Sequence, residues 1–320
     1  MKAFDPQAYR DLWQRYVHGA PRSDVELKYF TYHQDRYEEL FGAMAAWLAK
    51  HEHPKVLEVG VAAFTPFYRR LFPEITLTTV DRPMRMFGAS NEYCLNECGA
   101  DRHYEADLIS QRLSPDFGTP PLGDFDFVIC TEVIEHLPVN PVEFIGSLLS
   151  LLSAGGHLYL TTPNFFSIHT LGKIARRENP QSVFPKSGDN TDAHHHYREY
   201  SLPELVQFTR EAGGRIAFAS YSDCWDSEEL RASILARHPA QRGNLQLVAA
   251  RRDGAGGSDV DAPPFSFDPP PVAPAPPTVP APGRDWRDEE IARLQALVTG
   301  YERGRFMRLM RLLKHGRQRP

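Results

Sequence analysis

The stretch KVLEVG at 55–60, followed about twenty residues later by VDRP at 80–83, narrows what this chain can fold into more than any other segment. Val56, Leu57 and Val59 make a near-continuous apolar run. That is the pattern of a central parallel strand covered on both faces. Gly60 allows a sharp turn because no Cβ stands in the way. Glu58 supplies a carboxylate near the end of this strand, and Asp81 ends the next apolar run, Ile75 to Val80. Ligands of open α/β sheets bind beyond the carboxyl ends of the strands, and an acid at the second strand end accepts from ribose hydroxyls. The expectation is a site for a nucleoside-type ligand.

Short apolar runs alternate with helical stretches from 55 to 250. Strands are expected at 55–60, 75–81, 101–106, 125–131, 156–162, 214–221 and 244–251, and helices at 66–72, 141–152 and 202–212. Ser201-Leu-Pro-Glu204 reads as a capped helix start, with proline tolerated in the first turn. Such alternation predicts an α/β fold with a doubly wound, Rossmann-like, mostly parallel seven-stranded sheet. No long helix separates the last two strands, so an antiparallel edge strand is expected. Upstream, Tyr37, Leu40, Phe41, Met44, Trp47 and Leu48 recur at helical spacing until His53-Pro54. Residues 1–50 therefore read as an N-terminal helical cap, and 51–252 as the main domain.

Beyond it the composition shifts. Ten of the 27 prolines fall between Pro263 and Pro282, so 253–283 reads as a proline-rich disordered linker, flexible at its Gly-Gly-Ser start and extended afterwards. Residues 284–320 read as one amphipathic helix, with Ile291, Leu294, Leu297 and Val298 on its apolar face and Gly300 and Gly304 weakening the middle. The last twenty residues hold seven Lys/Arg against one acid, so the other 300 carry about −11 of the net −5. A basic amphipathic end suits peripheral contact with an anionic membrane surface, or self-association. The acidic remainder makes nucleic acid an unlikely partner.

The four cysteines (Cys94, Cys98, Cys130, Cys224) form no CxxC pair, which argues against structural zinc and fits a reducing compartment. The N-terminal segment has no signal-like apolar stretch, and no apolar run of about eighteen residues exists to span a membrane. The expected location is cytoplasmic, or peripheral on the inner face of the membrane.

A dinucleotide fingerprint would place three glycines at the first turn. Here the turn is Gly60-Val-Ala-Ala-Phe-Thr, which offers little close backbone approach to a pyrophosphate. A cofactor without phosphates fits better. Four further segments follow in order: Asp81; Tyr104-Glu-Ala-Asp107-Leu108; Asp124-Phe-Asp-Phe-Val-Ile-Cys-Thr-Glu-Val-Ile-Glu-His-Leu137; and Leu151-Leu-Ser-Ala-Gly-Gly-His-Leu-Tyr-Leu-Thr-Thr-Pro163-Asn164. With Val56-Leu-Glu-Val-Gly60 they make the chain resemble a class I S-adenosylmethionine-dependent methyltransferase over roughly 35–250. The EVIEHL segment is similar to that of bacterial small-molecule and glycan O-methyltransferases. Within that resemblance, Gly60 passes close to the methionine moiety, Asp81 binds the ribose and Asp107 with Leu108 meets the adenine. Thr131 and Glu132 line the methionine end, and Glu58 joins the cofactor site. The family's usual second glycine is Ala62 here.

On a helix, Glu132, Glu135 and His136 would share one face. The triple His194-His195-His196 lies downstream. The preferred catalytic set is His136, Glu135 and His195, because a neutral imidazole suits removal of a proton from an attacking oxygen. The alternative is a divalent metal on Glu132, Glu135, His136 and His195, an arrangement similar to that of the small-RNA terminal 2′-O-methyltransferases and also to that of the ubiquinone-pathway O-methyltransferases. It is not favoured. The long segment 164–200, with Lys173, Arg176, Arg177 and Lys186, reads as an insert that shapes an acceptor pocket. The resulting expectation is O-methylation of a glycan, lipid-linked sugar or small metabolite. The competing readings are a metal-assisted RNA 2′-O-methyltransferase and a non-catalytic module anchored by its C-terminal helix.

Overall fold

Seven strands form one sheet in the computed structural model, which describes residues 3–19, 23–83, 88–181, 195–222, 238–252 and 259–261. They are β1 (Lys55–Val59), β2 (Thr76–Asp81), β3 (Arg102–Glu105), β4 (Phe125–Thr131), β5 (Leu152–Pro163), β6 (Gly214–Ser222) and β7 (Asn244–Arg251). Their spatial order is β3-β2-β1-β4-β5-β7-β6. Strands β1 to β5 pair in parallel, whereas β7 runs antiparallel to both β5 and β6. The expected antiparallel pairing thus lies at this edge, with β7 one place in from the rim. The chain order reverses on either side of β1, which pairs with β2 on one flank and β4 on the other. A reversal of this kind opens a crevice at the strand ends.

Helices α1 (Pro6–His18), α2 (Asp24–Trp47) and α3 (Thr65–Leu71) cover one face. Tyr9, Trp13, Phe30, Tyr37, Phe41, Phe64, Phe67 and Tyr68 meet Val56, Leu77, Phe127, Ile129 and Tyr159 of the sheet in a single aromatic-rich core. Helices α4 (Pro141–Ser150) and α6 (Leu202–Glu211) cover the other face with Ile145, Leu148, Leu202 and Leu205 over Leu57, Val59, Val128 and Leu158.

The local signals act as their chemistry dictates. Ser201 and Glu204 form a reciprocal capping box at α6, and Ser23 with Glu26 does the same at α2. Helix α4 stops at Ser150 rather than 152, because Leu152 already pairs with Phe125 as β5 begins. A further helix, α5 (Ile168–Ala175), occupies part of the segment read as a bare insert. Ser167 caps it by accepting from the Thr170 N–H.

Three residues of the expected linker are docked. The Ile216 N–H donates to Asp259 Oδ1 at 3.1 Å, the Val260 N–H donates to the Ile216 carbonyl, and Arg210 reaches Asp259 and Asp261. This covers the unpaired edge of β6 beside its bulge between Ile216 and Phe218. The rest of the expected linker and residues 284–320, read from the sequence as a helix, lie outside the described residues. Among the described residues, no helix is long and apolar enough to cross a membrane.

Candidate active site

The crevice at the strand order reversal holds a cavity of about 240 Å³. Seven of the residues singled out in the sequence line it: Gly60, Asp81, Asp107, Leu108, Thr131, Glu132 and His136. The strand order sets their sequence in space. Asp107 lies past β3, Asp81 at the end of β2, Gly60 after β1, and Thr131 with Glu132 at the end of β4.

Gly60 adopts φ 87°, and a Cβ there would lie 2.5 Å from Val133 Cγ2. Any side chain at this position would be strained and would close the turn against the cavity wall. The Asp81 carboxylate accepts from the Arg82 N–H at 2.9 Å and the Ala89 N–H at 2.7 Å. Burial raises its pKa, and these two N–H groups oppose that shift. Asp107 organises its own turn, accepting from the Ile109 N–H and the Ser110 hydroxyl.

Glu58 departs from expectation. It is fully buried beneath the turn and does not line the cavity. Burial pushes its carboxyl up to about 8, against the pull of the Thr65 and Tyr68 hydroxyls. The alternation of β1 explains this: Leu57 and Val59 face one core, so Glu58 points with Val56 into the aromatic one. Strand alternation was readable in advance, but which face the crevice would use was not.

The Glu132–His136 segment is not the single helical face expected. Glu132 sits at φ 55°, a left-handed conformation, and only Ile134–His136 forms a short 3₁₀ turn. Glu132 is turned to Arg36, Thr161 and Asn244, with all three contacts on Oε1. Glu135 is buried behind the cavity wall, where its Oε2 accepts from the Thr162 hydroxyl at 2.9 Å. Burial, reinforced by the Glu132 charge, raises its pKa well above the ordinary carboxylate range.

His136 reaches the cavity, and its Nδ1 lies 2.9 Å from the His195 carbonyl oxygen. A carbonyl can only accept, so Nδ1 carries the proton and the lone pair of the neutral ring lies on Nε2. His195 therefore supplies main chain to His136, while its own ring is buried against Tyr197. The His196 imidazole lies against that of His136, at 4.9 Å between ring centroids. His194 lies outside the described residues. Among the described residues, Glu135, His136 and His196 bring one ligand atom each to within 4.8 Å of one another. This trio replaces the Glu132, Glu135, His136, His195 set inferred from spacing.

Tyr29, Arg82 and Tyr197 also line the cavity and escaped the sequence reading. Tyr29 comes from α2, far away in sequence, and carried no signal beyond helical periodicity. Tyr197 adjoins the histidine triple and is positioned by its N–H, which donates to the Glu135 carbonyl at 2.7 Å. In the described part of the insert, Arg176 pairs with Glu178 on the exposed end of α5 and Lys173 reaches the Pro180 carbonyl; Lys186 lies outside the described residues.

A family model described as a methyltransferase domain matches residues 29–216. Among curated proteins, the ubiquinone biosynthesis O-methyltransferase of Xanthomonas axonopodis pv. citri (strain 306) is 35% identical over 105 residues, 31% of this chain and 38% of that protein. The one from Burkholderia pseudomallei (strain 1710b) is 25% identical over 172 residues, 52% of this chain and 68% of that protein. The chain thus spans little more than a third of the length of the Xanthomonas relative. Among solved structures, the N-methyltransferase NodS from Bradyrhizobium japonicum WM9, in complex with S-adenosyl-L-homocysteine, aligns with a TM-score of 0.45 at 16% identity, covering 77% of this chain and 99% of that one.

Proposed function

The chain belongs to the methyltransferase-domain family, the class I S-adenosylmethionine-dependent group, and from that premise we propose that it methylates a hydroxyl oxygen of a glycan, a lipid-linked sugar or a related small metabolite. The observation that carries this reading is His136, which stands in the wall of the same cavity as Asp81 with its Nδ1 proton committed to the His195 carbonyl. An imidazole so tethered keeps the lone pair of its neutral ring on Nε2, which lies 3.7 Å from Glu135 Oε1 and would accept the proton of a hydroxyl brought against it.

The cavity suits the cofactor on its own terms. It has a strand-end carboxylate for a ribose, a turn that only a glycine fits, and no glycine-rich cradle for a pyrophosphate. When bound, S-adenosylmethionine supplies a methyl group already activated on a sulfonium. Asp81 would accept from the ribose hydroxyls, Asp107 and Leu108 would hold the adenine, and Thr131 and Glu132 would flank the amino-acid end. Tyr29, Leu137 and Tyr197 would then border the acceptor and keep water away. The protein's contribution is alignment of donor and acceptor together with proton removal. The names of the curated relatives agree with oxygen as the acceptor atom. The preference for a sugar acceptor comes from the proline-rich spacer and basic amphipathic end, which suit work near a membrane surface.

A second reading has support in the Glu135, His136 and His196 cluster. A carboxylate and two imidazoles fit Mg²⁺, Mn²⁺ or Zn²⁺ and would orient an acceptor hydroxyl, as an RNA terminal ribose requires.

The test is calorimetric titration of nucleoside-stripped protein with S-adenosylmethionine, followed by turnover on a panel of sugars, lipid-linked glycans and RNA ends, with EDTA or added Mg²⁺. His136→Ala should bind the cofactor like the wild type and lose about 10²–10⁴-fold in turnover. Equal loss of cofactor affinity in His136→Ala and Asp81→Ala would refute the role given to His136. Metal-dependent turnover on RNA would favour the second reading.

A further inference from the structure

Among the described residues that line the cavity, the carboxylates are Asp81, Asp107 and Glu132. Asp81 and Asp107 stand over β2 and β3, and Glu132 over β4. A ligand whose ribose lies at Asp81 and whose base lies toward Asp107 extends its remaining part past Gly60 to Glu132. In the proposed donor that part is an amino acid with an ammonium group.

Glu132 is held in an unusual way. Its backbone is left-handed at φ 55°, which a non-glycine residue keeps only where its surroundings over-determine it. Two hydrogen-bond donors and one guanidinium, from three separate elements, converge on one carboxylate oxygen, Oε1. Arg36 Nη1 of α2 lies at 2.8 Å, Thr161 Oγ1 of β5 at 2.8 Å and Asn244 Nδ2 of β7 at 3.0 Å. The Arg36 side chain is only 3% exposed, against 16% for Glu132. A guanidinium so thoroughly desolvated is tolerated only when it is paired. It also lies over the Tyr37 ring, at 5.0 Å from the centroid, which fixes its plane. With Oε1 occupied three times over, Oε2 is the oxygen that remains to accept from a ligand.

We propose that Arg36, with Thr161 and Asn244, is a positioning residue for the methyl donor: the three hold Oε1 of Glu132 so that Oε2 accepts from the ammonium of the donor's amino-acid end. Arg36 does not itself line the cavity, so it bears on a ligand there by way of Glu132. The N-terminal helical layer thereby becomes part of cofactor recognition. This inference rests on the donor reading above. It adds residues to the site that the sequence motifs do not contain.

The experiment compares S-adenosylhomocysteine with 5′-methylthioadenosine, which keeps the nucleoside thioether and lacks the amino acid. Dissociation constants are measured by calorimetry for the wild type, Arg36→Met, Arg36→Lys and Thr161→Val. Arg36→Met should weaken S-adenosylhomocysteine by about tenfold or more, since it leaves the Glu132 carboxylate without its buried ion-pair partner, and leave methylthioadenosine within about twofold. Arg36→Lys should restore part of the loss. Thr161→Val removes one donor with almost no change of shape and suits a strand, so it decides the matter if Arg36→Met does not fold; about threefold selective weakening is expected. Parallel loss of both ligands would mark a purely structural role and overturn the proposal, as would unchanged affinity for S-adenosylhomocysteine. A wild type that binds neither ligand would remove the donor reading itself, and a wild type that binds both while the variants stay unchanged would remove only the role of Arg36.

Discussion

The two faces of the sheet are built from different materials. On the α4/α6 side the core is mainly aliphatic, with Leu57, Val59, Val128, Ile145, Leu148, Leu158 and Leu205 in contact. On the α1/α2/α3 side it is mainly aromatic, and the rings interlock: Tyr37 stacks on Phe64 at 4.0 Å, and Phe41 meets Tyr9, Tyr68 and Phe72. Ionisable groups are buried on both sides: Glu135 lies beside Cys130 and Thr162 on the aliphatic one, and the aromatic side holds several more. Arg36 and Glu58 lie there, as does His33, whose pKa burial and the Arg36 charge lower to about 2. Rings carry a negative face and, in tyrosine, a hydroxyl, so the aromatic core offers partners to a guanidinium or a carboxyl. The difference teaches that one face chiefly supports the sheet, while the other carries charge to the wall of the cavity.

The comparison can be sharpened by substitutions that separate packing from charge. The largest effects belong to packing. Phe41→Ala should cost about 3–5 kcal/mol and Leu148→Ala about 2–5 kcal/mol in denaturant unfolding, since both side chains are fully buried. Neither loss should depend on pH between 5 and 9.

Glu58→Gln should behave otherwise. Burial pushes the folded carboxyl up to about 8, above its ordinary value of 4.5, so the folded state holds the proton longer than the unfolded one. The stability it contributes is complete below the unfolded pKa and is lost as pH rises through about 8. The wild type should therefore lose stability relative to Glu58→Gln as pH rises from 5 to 8, with a slope approaching about 1.4 kcal/mol per pH unit. Matching pH slopes for the two proteins would show that Glu58 is not held protonated, and the contrast between the faces would weaken. The smallest effect is on the aliphatic side, where Ser201→Ala removes half of the α6 capping box and should cost about 1 kcal/mol in the same assay.

Much of the fold was legible because its signals are local. Apolar runs locate six of the seven strands described, β3 (Arg-His-Tyr-Glu) being mainly polar, and Ser201 with Glu204 marks the start of its helix. Asp81, Asp107, Gly60 and Thr131 were legible because parallel strands deliver their C-terminal ends to one rim. The histidines were less so. Helical spacing suggested that Glu132, Glu135 and His136 share a face, but the left-handed turn at Glu132 sends the two carboxylates to different partners. Of the histidine triple, the run of identical residues cannot say which one gives its ring and which its carbonyl.

The amino-acid sequence by itself determined the class of fold, the strand-end carboxylates and the turn that only glycine fits, since each depends on residues close together in the chain. Only the tertiary structure decided that Glu58 is buried, that His196 rather than His195 brings its ring to His136, and that Arg36 and Asn244 meet on Glu132. Those pairings join residues scores of positions apart. No periodicity or spacing encodes them, because they arise from how helices and strands pack once the sheet has formed.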